Sequence, residues 1–234
     1  MRKLRVILRQ RRGVTLVELV AAMAVMCLVM TMAGAALRPA AAVVRRIETL
    51  QEAQIVLDTV LEVLRAEIEG ACGYVKLYES GADIENQWGT LEQGSALEFL
   101  NGEGCPVLIS ADGCGLTWLT ETKTEAEEIS PGRLFFLTRE APAADGTYPA
   151  RDGDWGLAQR RWEPFGEGFY VGLYLALEFA PGKEALEDAP AETLLVTAAL
   201  YRDAERTELV TKESLLVDLR NIPHWTMAVT AINE

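Results

Sequence analysis

The chain has 234 residues, half of them hydrophobic, with 22 basic and 35 acidic side chains and a net charge of −13. That length supports one or two packed domains. The acidic balance disfavours general binding to nucleic acid, whose phosphates need basic patches.

In chain order, the first element is a basic flank. MRKLRVILRQRRG carries six basic residues, Arg2, Lys3, Arg5, Arg9, Arg11 and Arg12, and no acid. Val14 to Leu37 follows, 24 residues with Glu18 as the only charge. As a helix it would extend about 36 Å, enough for a hydrocarbon core of about 30 Å. Basic residues stay on the cytoplasmic side, so everything beyond Leu37 is expected outside. A secretory signal peptide, with a small-residue cut near Ala33-Gly34-Ala35, or an uncleaved signal anchor shares the basic flank and apolar run. Neither accounts for Glu18. A charge near a membrane helix costs insertion energy and is by default functional, with a partner to be named.

Gly13-Val14-Thr15-Leu16-Val17-Glu18-Leu19 resembles the processing site of type IV prepilins and of the pseudopilins of secretion and competence systems. Val14 stands where that family usually has Phe. The resemblance implies cleavage after Gly13 by a membrane-embedded prepilin peptidase and N-methylation of the new amine on Val14. Glu18 then becomes the fifth residue of the processed chain. The resemblance makes its partner the N-terminal amine of a neighbouring subunit, which offsets the cost of a lone carboxylate in lipid. It further implies other pilin or pseudopilin subunits and an inner-membrane assembly platform as partners. The expected location is the cytoplasmic membrane, single-pass, and afterwards a cell-surface or periplasmic filament.

Six of the 22 basic residues fall in the first 13, so 16 basic residues face 35 acidic ones beyond the leader, a charge of −19. Arg160-Arg161 is the only close basic pair of the distal half and reads as two solvated side chains. After Arg38-Pro39, Val43, Ile47, Leu50, Gln54, Leu57, Leu61, Leu64 and Ile68 advance in alternating steps of four and three. This predicts an amphipathic helix ending near Gly70. Pro39 is expected to kink the helix or mark a junction.

From Tyr74 onward, short apolar runs alternate with turn residues. Strands are predicted at 96–100, 107–110, 115–120, 133–138, 193–201 and 215–220. A further strand is expected from Tyr170 to Phe179, with Val171, Leu173, Leu175, Leu177 and Phe179 on one buried face. Ala111-Asp112-Gly113 and Arg202 to Arg206 suit hairpin turns, and 79–95, 140–167 and 181–192 read as loops. The expected fold is α+β and pilin-like: a leader (1–13), a membrane-spanning helical half (14–37), an amphipathic half (38–70) and a mostly antiparallel β head (71–234).

Cys27 lies in the span, while Cys72, Cys105 and Cys114 are expected outside, where disulfides persist. Three thiols allow three choices of one bond. A two-residue turn at Asp112-Gly113 would put Cys105 opposite Thr120 and disfavour a Cys105–Cys114 bridge. A bond from Cys72 to one hairpin cysteine would staple helix to sheet, with free buried thiols as the alternative. Cys105 and Cys114 lack zinc-ligand spacing, and no metal or other cofactor is expected.

Catalytic signals are weak. The only histidine, His224, stands alone, and no nucleophile elbow, zinc-protease motif or phosphate loop occurs. Asp152-Gly153-Asp154 lacks the length and closing acid of a calcium loop. Trp155, Trp162, Phe165, Phe169 and Tyr170 read as a core-edge cluster. The expectation is a minor pilin or pseudopilin without enzymatic activity. An anchored extracytoplasmic binding protein or adhesin, exported through a prepilin-like signal, is the second reading; a secreted enzyme is the third.

Overall fold

The computed structural model describes residues 15–79, 84, 93–119, 126–140, 160–182 and 193–221. The chain divides into two compact units, Met1–Thr49 and Leu50–Glu234. A single helix, α1 (Leu16–Glu69), begins in the first unit and ends in the second. It runs through Pro39 as one element, so the predicted junction is not there. Proline lacks the N–H that would bond one turn back, but the remaining ladder continues on both sides.

From Leu16 to Leu37 the helix is apolar on all sides apart from Glu18. Leu16, Met23, Met26, Val29 and Met32 are all more than half exposed, and the hydroxyl of Thr31 donates to the Leu28 carbonyl at 2.8 Å. That bond satisfies the hydroxyl within its own helix, as a hydrocarbon surrounding requires. This helix is long and apolar enough to cross a membrane.

In the second unit α1 has one buried stripe: Ala53, Val56, Leu57, Val60, Leu61, Leu64 and Ile68. Two residues per turn are buried, which makes a broader stripe than the predicted alternation of four and three. Its predicted first half is not buried: Val43, Ile47 and Leu50 stay exposed.

The stripe packs on two antiparallel sheets. Sheet A has the order β1 (Cys72–Tyr78), β2 (Ala96–Leu100), β3 (Pro106–Ser110), β6 (Phe135–Thr138), β7 (Arg160–Trp162). Sheet B has the order β10 (Leu209–Asp218), β9 (Thr193–Tyr201), β8 (Tyr174–Pro181), and β4 (Thr117–Leu119) pairs with β5 (Ala126–Glu128) as a small third sheet. Alternate strand residues supply the inner faces: Leu97, Phe99, Val107 and Ile109 from sheet A, and Leu175, Leu177, Phe179, Val196, Ala198 and Leu200 from sheet B. They form one core with α1, each fully buried large side chain worth about 1.5–3 kcal/mol of transfer energy. The other face of sheet A carries a second cluster of Tyr78, Ile84, Leu108, Leu116, Phe135 and Leu137. Sheets A and B meet where Gly94 bridges Phe179, with backbone bonds of 2.9 and 2.8 Å. A side chain at Gly94 would strike the Tyr78 carbonyl oxygen, only 2.5 Å from an added Cβ.

The α+β architecture and the antiparallel pairing agree with expectation, but several local features differ. Val171 is not on a buried strand face; it is half exposed with φ 54°, after a 3₁₀ turn at Glu167–Tyr170. β8 therefore begins only at Tyr174, because a residue in the left-handed region breaks the strand alternation. Asp112-Gly113 is not a hairpin turn either: β3 pairs with β2 and β6, and β4 with β5. Gly113, Cys114 and Gly115 all have positive φ, and Asp112 Oδ1 accepts the Cys114 N–H at 3.0 Å. Three such residues redirect the chain out of sheet A instead of returning it alongside β3. The Arg202–Arg206 hairpin is present, with β10 starting at Leu209 rather than 215. β1, β5 and β7 are additional strands, β7 within a predicted loop.

Candidate functional site

The start of α1 is built by local capping. Thr15 precedes the helix, its Oγ1 accepts the Glu18 N–H at 3.3 Å, and its carbonyl accepts the Leu19 N–H at 3.1 Å. Thr15-Leu16-Val17-Glu18 has the Thr-x-x-Glu spacing of a capping box. Glu18 thus stands in the first turn, where the unpaired N–H groups of a helix end favour a negative charge. It is exposed, on a helix whose neighbouring side chains, Leu16, Val17, Leu19 and Val20, are apolar and exposed too. Chemically, this is an available carboxylate at the edge of an apolar rod, suited to an external cation. Gly13 and Val14, the expected cleavage and methylation positions, lie outside the described residues.

None of Cys27, Cys72, Cys105 and Cys114 is in a disulfide. Cys72 opens β1 and donates from Sγ to the Asn101 carbonyl at 2.9 Å. Cys105 precedes β3, and β2 lies between β1 and β3. Two strand spacings, about 9–10 Å, exceed the ~7 Å Cα reach of a disulfide, so the Cys72–Cys105 staple does not fit this register. Cys114 lies past the opposite end of β3, buried against Ser110 and Asp112. Burial, then the Asp112 charge, pushes its thiol up to about 12, so it stays protonated and unreactive. No cluster of three metal-ligating side chains occurs among the described residues.

Arg160 and Arg161 lie on edge strand β7, where Arg161 pairs with Glu163. Trp162 packs on Phe136 with ring centroids 4.9 Å apart. Phe165 stacks on Phe169 at 4.0 Å, and both pack on the main core, in keeping with a core-edge cluster. Tyr170 is buried, and its hydroxyl accepts the Leu134 N–H at 2.9 Å. Asp152, Gly153, Asp154, Trp155 and His224 lie outside the described residues.

Sequence reasoning missed a buried carboxylate. Glu98 alternates with Leu97 and Phe99 and so reads as a solvated outward residue, yet it is 7 % exposed. The hydroxyls of Tyr74 and Tyr78 both donate to it, the latter at 2.6 Å. Burial, followed by the Glu98 charge, drives the Tyr78 phenol far above its ordinary value. The available signal was Tyr74 and Tyr78 four apart, on the same face of one strand.

The family described as the prokaryotic N-terminal methylation motif matches residues 8–34. Over that stretch the chain is type IV prepilin- or pseudopilin-like. The matched stretch contains Arg9, Arg11 and Arg12 of the basic flank, Gly13, the Thr15 cap, Glu18 and most of the apolar half of α1. No curated protein and no solved structure matches the prepilin-like chain.

Proposed function

We propose that this prepilin-like chain is a minor type IV pilin or pseudopilin, cut after Gly13 by prepilin peptidase, N-methylated on Val14 and assembled with other subunits into a filament. The observation that carries this reading is the methylation motif at residues 8–34, continuous with an apolar helix exposed on every side. An exposed apolar helix needs lipid before assembly and protein neighbours after it. Glu18 is then the fifth residue of the processed chain, and its carboxylate attracts the terminal amine of the subunit already in place. The subunit acts by assembly rather than turnover, with its N-terminus inside, its head outside, and an inner-membrane platform extracting it. The long, loop-rich head, irregular for a subunit present in hundreds of copies, supports a minor role.

Mass spectrometry of the mature N-terminus tests processing. Methylated Val14, lost in a strain without prepilin peptidase, is expected; an intact leader or a start near Ala36 rejects the proposal in favour of an anchored binding protein or a secreted chain. Glu18→Ala is expected to be cut normally yet to be missing from filaments. Its normal incorporation would remove Glu18 from the assembly step.

A further inference from the structure

The outer face of sheet B carries a groove lined by side chains of all three of its strands. The strand register maps it row by row. Tyr174, Tyr201 and Leu209 form one row, Ala176, Ala199 and Lys212 the next, and Glu178, Thr197 and Ser214 the third. All alternate with the inward core residues Leu175, Leu177, Ala198 and Leu200, so all lie on the face turned away from α1. The two alanines form a low floor between an aromatic row and a polar one. Ala199 is 5 % and Thr197 7 % exposed, recessed below their larger neighbours. The depression has a volume of about 310 Å³, the low end of the range for small-ligand sites.

Its charges are sorted by side. Glu178 stands on β8, and Glu79 lines the groove as well. Lys212 stands on β10, two strands away, and Arg206 reaches the groove from the β9–β10 turn. That turn is firmly built. Asp203 accepts the backbone N–H groups of Thr207 and Glu208, both at 2.8 Å, and Arg206 sits at φ 59° with its N–H on the Asp203 carbonyl at 3.2 Å. Among the described residues neither Arg206 nor Lys212 makes an ion pair. In a chain whose net charge is −13, two such cations side by side at a recess are a specific feature.

We infer that this groove binds the zwitterionic backbone of a short linear peptide, two or three residues long with both ends free. The carboxylate end lies toward Lys212 and Arg206, the ammonium end toward Glu178 and Glu79, and the body crosses Ala176 and Ala199 beside the Tyr201 ring. The length follows from the fold: two strand spacings are about 9–10 Å, which an extended chain at ~3.3–3.6 Å per residue covers with two or three residues. A long peptide added as a further strand is a poorer fit. The groove floor is a sheet face, whose backbone groups already bond β8 to β9 and β9 to β10, so only side chains and free ends are left to recognise a ligand.

The test uses the full chain in detergent micelles, titrated calorimetrically with tri-alanine, its N-acetyl form and its C-terminal amide. Saturable binding of tri-alanine is expected, about tenfold weaker when either end is blocked, the loss typical of one charge-assisted contact. Lys212→Glu and Glu178→Lys change exposed side chains, and circular dichroism checks that each variant remains folded. Lys212→Glu should erase the penalty for amidation and keep that for acetylation, and Glu178→Lys should do the reverse. Absence of saturable binding at millimolar peptide overturns the proposal, as does binding that is indifferent to both variants or to both blocked ends. An uncharged or acidic saccharide that binds where tri-alanine does not would overturn it as well.

Discussion

Between Leu16 and Met32 every large apolar side chain of α1 is more than half exposed, whereas from Ala53 to Ile68 the apolar stripe is 6 % exposed or less. One helix therefore presents similar residues to two different surroundings. The difference lies in arrangement. The first stretch is apolar on every face and has no side to turn toward water, as befits a helix made for lipid or for other helices. The second gathers its large apolar residues, the exposed Ile55 apart, on one buried face and places Glu52, Asp58, Glu62, Glu67 and Glu69 off it. Among the described residues, it is the second stretch that supplies side chains to the core of the head.

Side-chain truncation should affect the two stretches very differently. Leu64 is fully buried in the main core, so Leu64→Ala should destabilise the head by about 2–5 kcal/mol, the transfer and cavity cost of a buried leucine. Met26→Ala, in the exposed stretch, should leave head unfolding within about 0.5 kcal/mol of the parent. Guanidinium unfolding of the full chain in detergent measures both. Equal losses would mean that the apolar half supports the head after all.

Much of this division is legible in sequence, and the exceptions have physical causes. Uniform apolarity with one carboxylate marks the first stretch, and β2 and β9 match their predicted spans because a short apolar run bounded by turn residues is a strong local signal for a buried strand. The stripe fails at Val43, Ile47 and Leu50 because periodicity names a face but not the length over which something covers it. Val171 fails because a left-handed turn preserves the order of residues while breaking the alternation. Buried Glu98 is hidden because its partners Tyr74 and Tyr78 come from another strand. The groove on sheet B needs three strands in register and a turn before it exists at all.

The apolar half of α1 and the head also differ in what surrounds their glycines. An added Cβ at Gly34, in the apolar half, meets nothing within 4 Å. At Gly113, with φ +72°, it would collide with the Ile129 carbonyl oxygen. Gly113→Ala should therefore cost about 2–3 kcal/mol in strain and displaced backbone. Gly34→Ala should be neutral for the head and, at about 1 kcal/mol better intrinsic propensity, slightly favourable for the helix. Thermal unfolding separates them, and a destabilising Gly34→Ala would place a close neighbour beside the apolar half.

The smallest effect concerns the polar side of the second stretch. Glu213 faces α1 from β10, and its carboxyl is raised above its ordinary value near 4.5, first by burial and then by the charge of Asp58 and a hydrogen bond to it. A raised acid binds its proton more tightly when folded than unfolded, so stability falls as pH rises from about 4.5 through the raised value. Glu213→Gln removes that titration, so the variant should hold its stability across this window and exceed the parent at neutral pH. Solvent screening limits the gain to roughly a few tenths of a kcal/mol. Asp203 acts with the opposite sign: backbone N–H donors hold it below its ordinary 3.8, so its contribution is present above that pH and lost as the pH falls through the lowered value. Unfolding followed from pH 3 to 7, in the parent and in Glu213→Gln, distinguishes the two groups, because only the slope above about 4.5 should vanish in the variant. Persistence of that slope would assign it to a carboxyl other than the one opposite Asp58.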